Sequence, residues 1–179
     1  MDAIVVFESM WGNTAAVALA IAEGLGADAV ALVTDEATPE RVAEAALVVA
    51  GAPVHALTLP SENSRAAAAA RDTPTSVPAD VHHPSMRDWL STVPPGPRHF
   101  AAFETRIAGP LGRGAAFAIG RSMSAAGYTP LDRAHGFTVT MRARTDKPAA
   151  MLLAGQEREA HEWGQRLRTL LVEATAAAS

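Results

Sequence analysis

A chain of 179 residues, 49% hydrophobic and 19% charged, has the composition of one globular domain with room for a full core. Its formal net charge of −4 argues against non-specific nucleic-acid binding, and the lack of cysteine excludes disulfides, thiolate catalysis, zinc ribbons and iron–sulfur clusters. A strand that begins by residue 3 leaves no room for a leader, and no apolar run approaches the ~20 residues of a membrane helix, so a soluble cytoplasmic protein is expected.

The elements alternate strand and helix. Residues 3–8 read as a buried strand and 13–25 as a helix ending at Gly26, with no charge before Glu23. Residues 28–33 read as a second strand. Thr38, Pro39 and Glu40 signal a helix start, as N-cap, first position and first-turn acid, and that helix runs to about Ala46. Residues 47–50 form a short continuous apolar strand, as expected of a parallel sheet covered on both faces. Residues 52–98 then hold most of the twelve prolines, and only Ser85 to Val93 reads as helix there. The strand pattern returns over 100–105, a helix over 112–126, a last strand over 137–141 and a last helix over 156–174. The expected fold is therefore α/β: a doubly wound, five-stranded parallel sheet in the order 2-1-3-4-5, in a single domain with a long insertion at about 56–97. Such sheets bind ligands at the carboxyl ends of the strands where the strand order reverses, here the loops 9–14, 51–63 and 105–114.

The first of these loops carries the most chemistry. Ser9 and Thr14 offer hydroxyls, Asn13 an amide, and Gly12 a close backbone approach, all at the positive end of a helix. The loop has no Lys or Arg and no G-x-x-x-x-G-K-[ST] pattern, so one phosphate monoester suits it better than a triphosphate. The plain alternative is a strand-to-helix turn capped by Ser9 or Asn13. In the third loop, Gly109-Pro110-Leu111-Gly112-Arg113-Gly114 lacks the spacing of a dinucleotide fingerprint and reads as a flexible ligand loop or a helix entry. His82 and His83 are adjacent, so an extended chain points them apart; with no H-E-x-x-H spacing, no metal site is expected. No serine sits in a G-x-S-x-G elbow, so hydrolase chemistry has no anchor.

Residues Val5 to Thr14, followed by Val17-Ala18 and Ile21 to Leu25, resemble the flavin mononucleotide (FMN) phosphate loop of the flavodoxin family. Trp11 stands where typical members have a hydroxyl residue, and Ser9-Met10-Trp11-Gly12 is similar to the Ser-Met-Tyr-Gly of flavodoxin-like quinone reductases, the Trp-repressor-binding-protein group. Gly51-Ala52-Pro53-Val54-His55 and Thr145-Asp146-Lys147-Pro148 resemble segments of actinobacterial flavodoxin-family proteins, so the likeness spans nearly the whole chain. The resemblance implies FMN as cofactor, with its phosphate on Ser9, Met10, Trp11, Gly12, Asn13 and Thr14. It implies the flavin ring between Ala52, Pro53, Val54 and His55 on one side and Thr105, Arg106, Gly109 and Gly112 on the other. His55 is either a stacking or donating residue or an ordinary loop histidine. No aromatic residue lies between 105 and 114, which leaves Trp11 or Trp89 to stack on the ring.

Two functions follow. One is a redox protein, either an electron carrier with a partner protein or a reductase taking electrons from NAD(P)H to a quinone-like acceptor. The mild acidity and the arginines of the insertion (Arg65, Arg71, Arg87, Arg98) favour the reductase; those arginines form either a lid admitting an anionic donor or a solvated loop. The other is a non-enzymatic regulatory or interaction module with a weakened flavin site, motivated by Trp11 in place of a hydroxyl.

Overall fold

The computed structural model describes residues 3–70, 78–109, 114–140 and 147–178. Its strands are β1 (Ala3–Phe7), β2 (Ala29–Val33), β3 (Leu47–Pro53), β4 (His99–Ile107), β5 (Thr129–Pro130) and β6 (His135–Val139). Its helices are α1 (Asn13–Leu25), α2 (Pro39–Glu44), α3 (Glu62–Ala70), α4 (Met86–Leu90), α5 (Ala115–Ala125) and α6 (Gln156–Ala178).

The sheet is parallel, and its order is β2-β1-β3-β4-β5, as the alternation of elements predicts. The fifth position is filled by two segments: β5 pairs with His99 and Phe100, and β6 with Phe103 to Ile107. Between them the chain leaves β4 at residues 132–134, after a last bond from the Leu131 N–H to the Phe100 carbonyl at 2.8 Å. The strand expected at 137–141 thus begins earlier, at His135.

Side-chain alternation along the inner strands builds two cores. Ile4, Val6, Val48, Ala50, Phe100 and Ala102 face one layer, where α4 and α5 supply Met86, Trp89, Ile119 and Met123. Ala3, Val5, Leu47, Val49, Ala101 and Phe103 face the other, against Val17 and Ile21 of α1 and Trp163 and Leu167 of α6. Both faces being covered explains why Leu47 to Ala50 is apolar without alternation.

Within the 56–97 stretch the structure adds a helix that the sequence pattern does not predict. Helix α3 turns only Arg65 and Ala68 inward, so its hydrophobic periodicity is faint. Helix α4 is capped by a reciprocal pair: the Ser85 hydroxyl accepts the Asp88 N–H, and the Asp88 carboxylate accepts the Ser85 N–H.

Candidate functional site

Strand β1 delivers the chain into the loop 9–12, and α1 begins at Asn13, as the sequence predicts. Gly12 is the N-cap, at φ 84°, a left-handed conformation that disfavours a side chain. A Cβ there would lie 2.9 Å from the Ala149 nitrogen and 3.0 Å from the Pro148 Cβ. Gly12 is therefore needed twice, for its backbone angle and for the approach of residues 147–150.

No side chain caps α1, and no backbone carbonyl among the described residues accepts the N–H groups of Trp11 to Ala15. Close to them are polar atoms that are buried and without hydrogen-bond partners: Ser9 Oγ, Trp11 Nε1 and Asn13 Oδ1. Buried polar groups in folded proteins are nearly always paired, and an unpaired one costs ~1–3 kcal/mol. The capped-turn alternative fails here, because neither Ser9 nor Asn13 caps the helix. Thr14 behaves differently. Its hydroxyl and that of Thr105 lie 2.8 Å apart in the interior, tying the loop after β1 to the end of β4.

These residues open on a cavity of about 200 Å³. Its wall brings together Ser9, Met10, Trp11, Asn13, Thr14, Pro53, Val54, His55, Thr105 and Arg106, all singled out from the sequence. Gly12 lies behind the loop and lines a neighbouring cavity instead. Ala52 is fully buried in the core under β3 and contributes only backbone at the edge of the site. Gly109 is exposed at the end of β4, with φ 117° and open space around it. Gly112 lies outside the described residues, as do Arg71, Thr145 and Asp146.

The cavity wall carries the Trp11 indole. The indole lies against the His55 imidazole, with centroids 6.3 Å apart and planes 24° from parallel. Burial alone pushes His55 below its usual pKa, which favours the neutral ring near pH 7. Trp89 is core: its Nε1–H donates to the Ala37 carbonyl at 2.8 Å. After His55 the chain reverses through Ala56 and Leu57, at φ 47° and 67°, closed by reciprocal His55–Thr58 backbone bonds of 2.9 and 3.0 Å. Both central residues are left-handed, as a two-residue hairpin turn requires, and Leu57 is held out beside the site at 52% exposure.

Sequence reasoning missed several contributors. Ile107, Val139, Thr140 and Met151 also line the cavity. Residues 151–153 run back along the end of β6, with Thr140 N–H on the Met151 carbonyl at 2.7 Å and Leu153 N–H on the Thr138 carbonyl at 3.1 Å. The Lys147-Pro148 segment was the available signal for this neighbourhood. Two straps also grip the loop itself. Ala149 N–H bonds to the Trp11 carbonyl at 2.9 Å, and Asp80 N–H to the Met10 carbonyl at 2.8 Å.

The second strap hangs on a buried ion pair. Glu8, the last residue before the loop, has a nearly inaccessible carboxylate that accepts from Arg65 Nη1 of α3 and, at 2.9 Å, from the Met86 N–H. Burial raises the Glu8 pKa, against the opposing pull of those two donors. Arg65 Nη2 reaches on to the carbonyls of Val81 and His83. Arg87 donates to the carbonyls of Leu59 and Pro60, both at 3.0 Å, and Arg98 to that of Ala43 at 3.0 Å. The arginines of the insertion that fall among the described residues thus hold the chain's own carbonyls. Arg65 does so from the interior, and Arg87 from the exposed surface.

No protein-family model and no curated protein matches the sequence. Solved structures match its shape. A flavodoxin from the domain Archaea aligns with 96% of this chain and 99% of its own length, at a TM-score of 0.64 and 19% identity. Oxidised flavodoxin 1 from Bacillus cereus covers 97% and 98%, at 0.62 and 10% identity. This chain has the flavodoxin-like fold. The same fold is seen in the flavodiiron core of a Synechocystis protein, with a TM-score of 0.60 and 15% identity, where 97% of this chain matches 36% of the larger one. In the flavodoxin-like sheet, β1 and β3 adjoin although β2 lies between them in sequence. The cavity opens at that switch point.

Proposed function

We propose that the chain is an FMN-binding redox protein, with the phosphate at Ser9 to Thr14 and the flavin ring against Trp11, Val54, His55, Thr105 and Arg106. The observation that carries this reading is the set of buried, unpartnered atoms Ser9 Oγ, Trp11 Nε1 and Asn13 Oδ1 beside the open N-terminus of α1. A phosphate offers acceptors for the hydroxyl, the indole N–H and the backbone N–H groups. The Asn13 amide presents its NH₂ by turning over, an exchange that heavy-atom positions do not distinguish. Beyond the loop the wall turns apolar through Met10, Val54, Ile107, Val139 and Met151, which suits a flat ring.

Bound FMN would supply one- and two-electron transfer; the chain binds it, orients it and excludes water. Ser9, Asn13 and the α1 N-terminus would hold the phosphate, and Trp11 and His55 would cover the ring. The likeness to solved flavodoxins supports the same ligand. Trp11 in the loop, and a described cavity wall without a carboxylate, favour a reductase over an electron carrier. Such a reductase would take electrons from NAD(P)H to a quinone-like acceptor.

A cavity of about 200 Å³ is below the ~300–1,000 Å³ of most cofactor pockets, and that observation favours the rival reading, an interaction module without flavin. The visible spectrum of freshly purified protein separates the two. Flavin bands at stoichiometric level, followed by oxidation of reduced nicotinamide that quickens with a quinone, support the reductase. A colourless protein that stays colourless after incubation with FMN overturns it.

A further inference from the structure

We propose that the outer face of α5 and the chain crossing at residues 132–134 form a docking groove for an acidic, amphipathic helix of a partner protein. The groove has a volume of about 870 Å³ and shares no lining residue with the cavity at the switch point, so it stands apart from the flavin reading.

The split in the fifth sheet position makes the groove. β5 pairs with β4 only at His99 and Phe100, and β6 resumes the ladder at Phe103, so Ala101 and Ala102 have no strand pair on this side. Ala102 is part of the floor, and Ala116 and Gly120 of α5 line it with side chains too small to fill the space. A Cβ on Gly120 would meet only Phe100 Cε2, at 3.9 Å, an ordinary contact that leaves the hollow open. Phe117 also lines the groove and is 70% exposed. Positions 117, 120, 121 and 124 share one face of α5, running ~10 Å along its axis at about 1.5 Å per residue. Glu104 fixes that helix from below: its Oε2 accepts the N–H groups of Gly114 at 3.1 Å and Ala116 at 3.0 Å, capping α5, whose N-cap Gly114 has no side chain to do so.

The free charge of the groove is positive. Arg121 from α5 and Arg133 from the crossing chain line it, both exposed and both without an acidic partner among the described residues. The acid in the same wall, Asp132, is already engaged: its Oδ2 accepts from Arg166 Nε at 2.9 Å and from Trp163 Nε1 at 3.2 Å. On a chain of net charge −4 this is a locally basic strip with an apolar base.

That combination selects the occupant. A small-molecule pocket covers about 70–90% of its ligand, whereas exposed Phe117, Ala125, Pro130 and Ala134 leave this groove open. A second copy related by a twofold axis would bring the two arginines of each copy into one interface, where like charges repel. A helix of another protein meets both demands, with an apolar stripe over Phe117 and the Gly120 hollow and with carboxylates at its edges for Arg121 and Arg133.

Fluorescence anisotropy tests this with two labelled peptides of ~15 residues that share one helical stripe of leucines and carry either glutamates or lysines elsewhere. The full chain is expected to bind the glutamate peptide and to bind the lysine peptide at least ~tenfold more weakly, with the preference shrinking as salt is raised. Gly120→Leu fills the hollow without a clash and favours the helix, and it is expected to weaken the glutamate peptide at least ~tenfold. Arg121→Glu combined with Arg133→Glu, both at exposed positions, is expected to reverse the preference between the peptides. No binding of the glutamate peptide, equal binding of the two peptides, or an unchanged affinity in Gly120→Leu overturns the proposal. So does a concentration-dependent dimer of the wild-type chain that Gly120→Leu abolishes, since a second copy then occupies the groove.

Discussion

Replacing Arg65 with Met removes one half of a buried ion pair and strands the other. The Glu8 and Arg65 side chains are 3% and 11% exposed, and Arg65 also holds the carbonyls of Val81 and His83. Breaking such a pair from one side costs ~3–5 kcal/mol, because an uncompensated charge stays in the interior. The lower end applies here, since the Arg65 side chain is not wholly withdrawn from water and the Met86 N–H still serves the carboxylate. With a urea slope of ~2 kcal/mol/M, typical of a small domain, ~3 kcal/mol moves the unfolding midpoint down by about 1.5 M. The loss carries a pH signature. Burial raises the folded-state pKa of Glu8 above its ordinary value, and Arg65 opposes that rise, so its removal pushes the pKa higher. The folded variant then binds the Glu8 proton more tightly than the unfolded chain does. Stability accordingly falls as pH rises above the ordinary carboxyl value of 4.5, and it recovers as pH drops toward it. Urea melts at pH 7.5 and 5.0 measure both effects. The deficit of Arg65→Met should shrink at the lower pH, and Glu8→Gln in the same chain should restore stability at pH 7.5. A deficit below ~1 kcal/mol, or one equal at both pH values, contradicts the assigned role of the pair.

Other perturbations probe the loop and its supports. Gly12→Ala forces a methyl into the Ala149 backbone at a positive φ and is expected to cost ~1–3 kcal/mol in a thermal or urea melt; an unchanged midpoint refutes the close approach. The His55 imidazole should titrate below its ordinary 6.5 by NMR, and its stabilising contribution should be lost as pH falls through that range, because burial disfavours the charged ring in the folded state alone. A midpoint at or above 6.5 contradicts that burial. Glu104→Ala leaves the α5 N-terminus without its carboxylate and is expected to cost ~1–2 kcal/mol; a loss under ~0.5 kcal/mol shows that the cap is dispensable.

Much of the fold was legible in the chain because its signals are local. The apolar run Ala3 to Phe7, the turn at Gly12 and the uncharged face of α1 fix the first βα unit residue by residue. The Thr38-Pro39-Glu40 start is equally local, and the strand order follows from the alternation of strands and helices. Helix α3 was not legible, since a run of alanine facing water has no stripe to read. Neither was the break after Leu131 that splits the last strand position in two.

The cavity shows the same division. Ser9 to Thr14, Pro53 to His55, Thr105 and Arg106 were readable as the loops at the switch point. The pair Glu8–Arg65 joins residues 57 apart, and the Gly136 space for Arg106 lies on a neighbouring strand. No pattern along the chain announces contacts that only the sheet creates. Trp11 seemed a missing hydroxyl in the sequence; in the fold it is a ring stacked on His55 with a free N–H turned inward.

The central claim is that the α1 N-terminus, with Ser9, Trp11 and Asn13, binds the phosphate of FMN. Calorimetric titration of flavin-free protein with FMN and with riboflavin, which has the same ring and no phosphate, tests it directly. The account predicts one FMN per chain, with riboflavin at least a hundredfold weaker, since a charged acceptor facing several donors contributes ~3 kcal/mol or more. Equal affinity for the two flavins, or no heat with either, contradicts it.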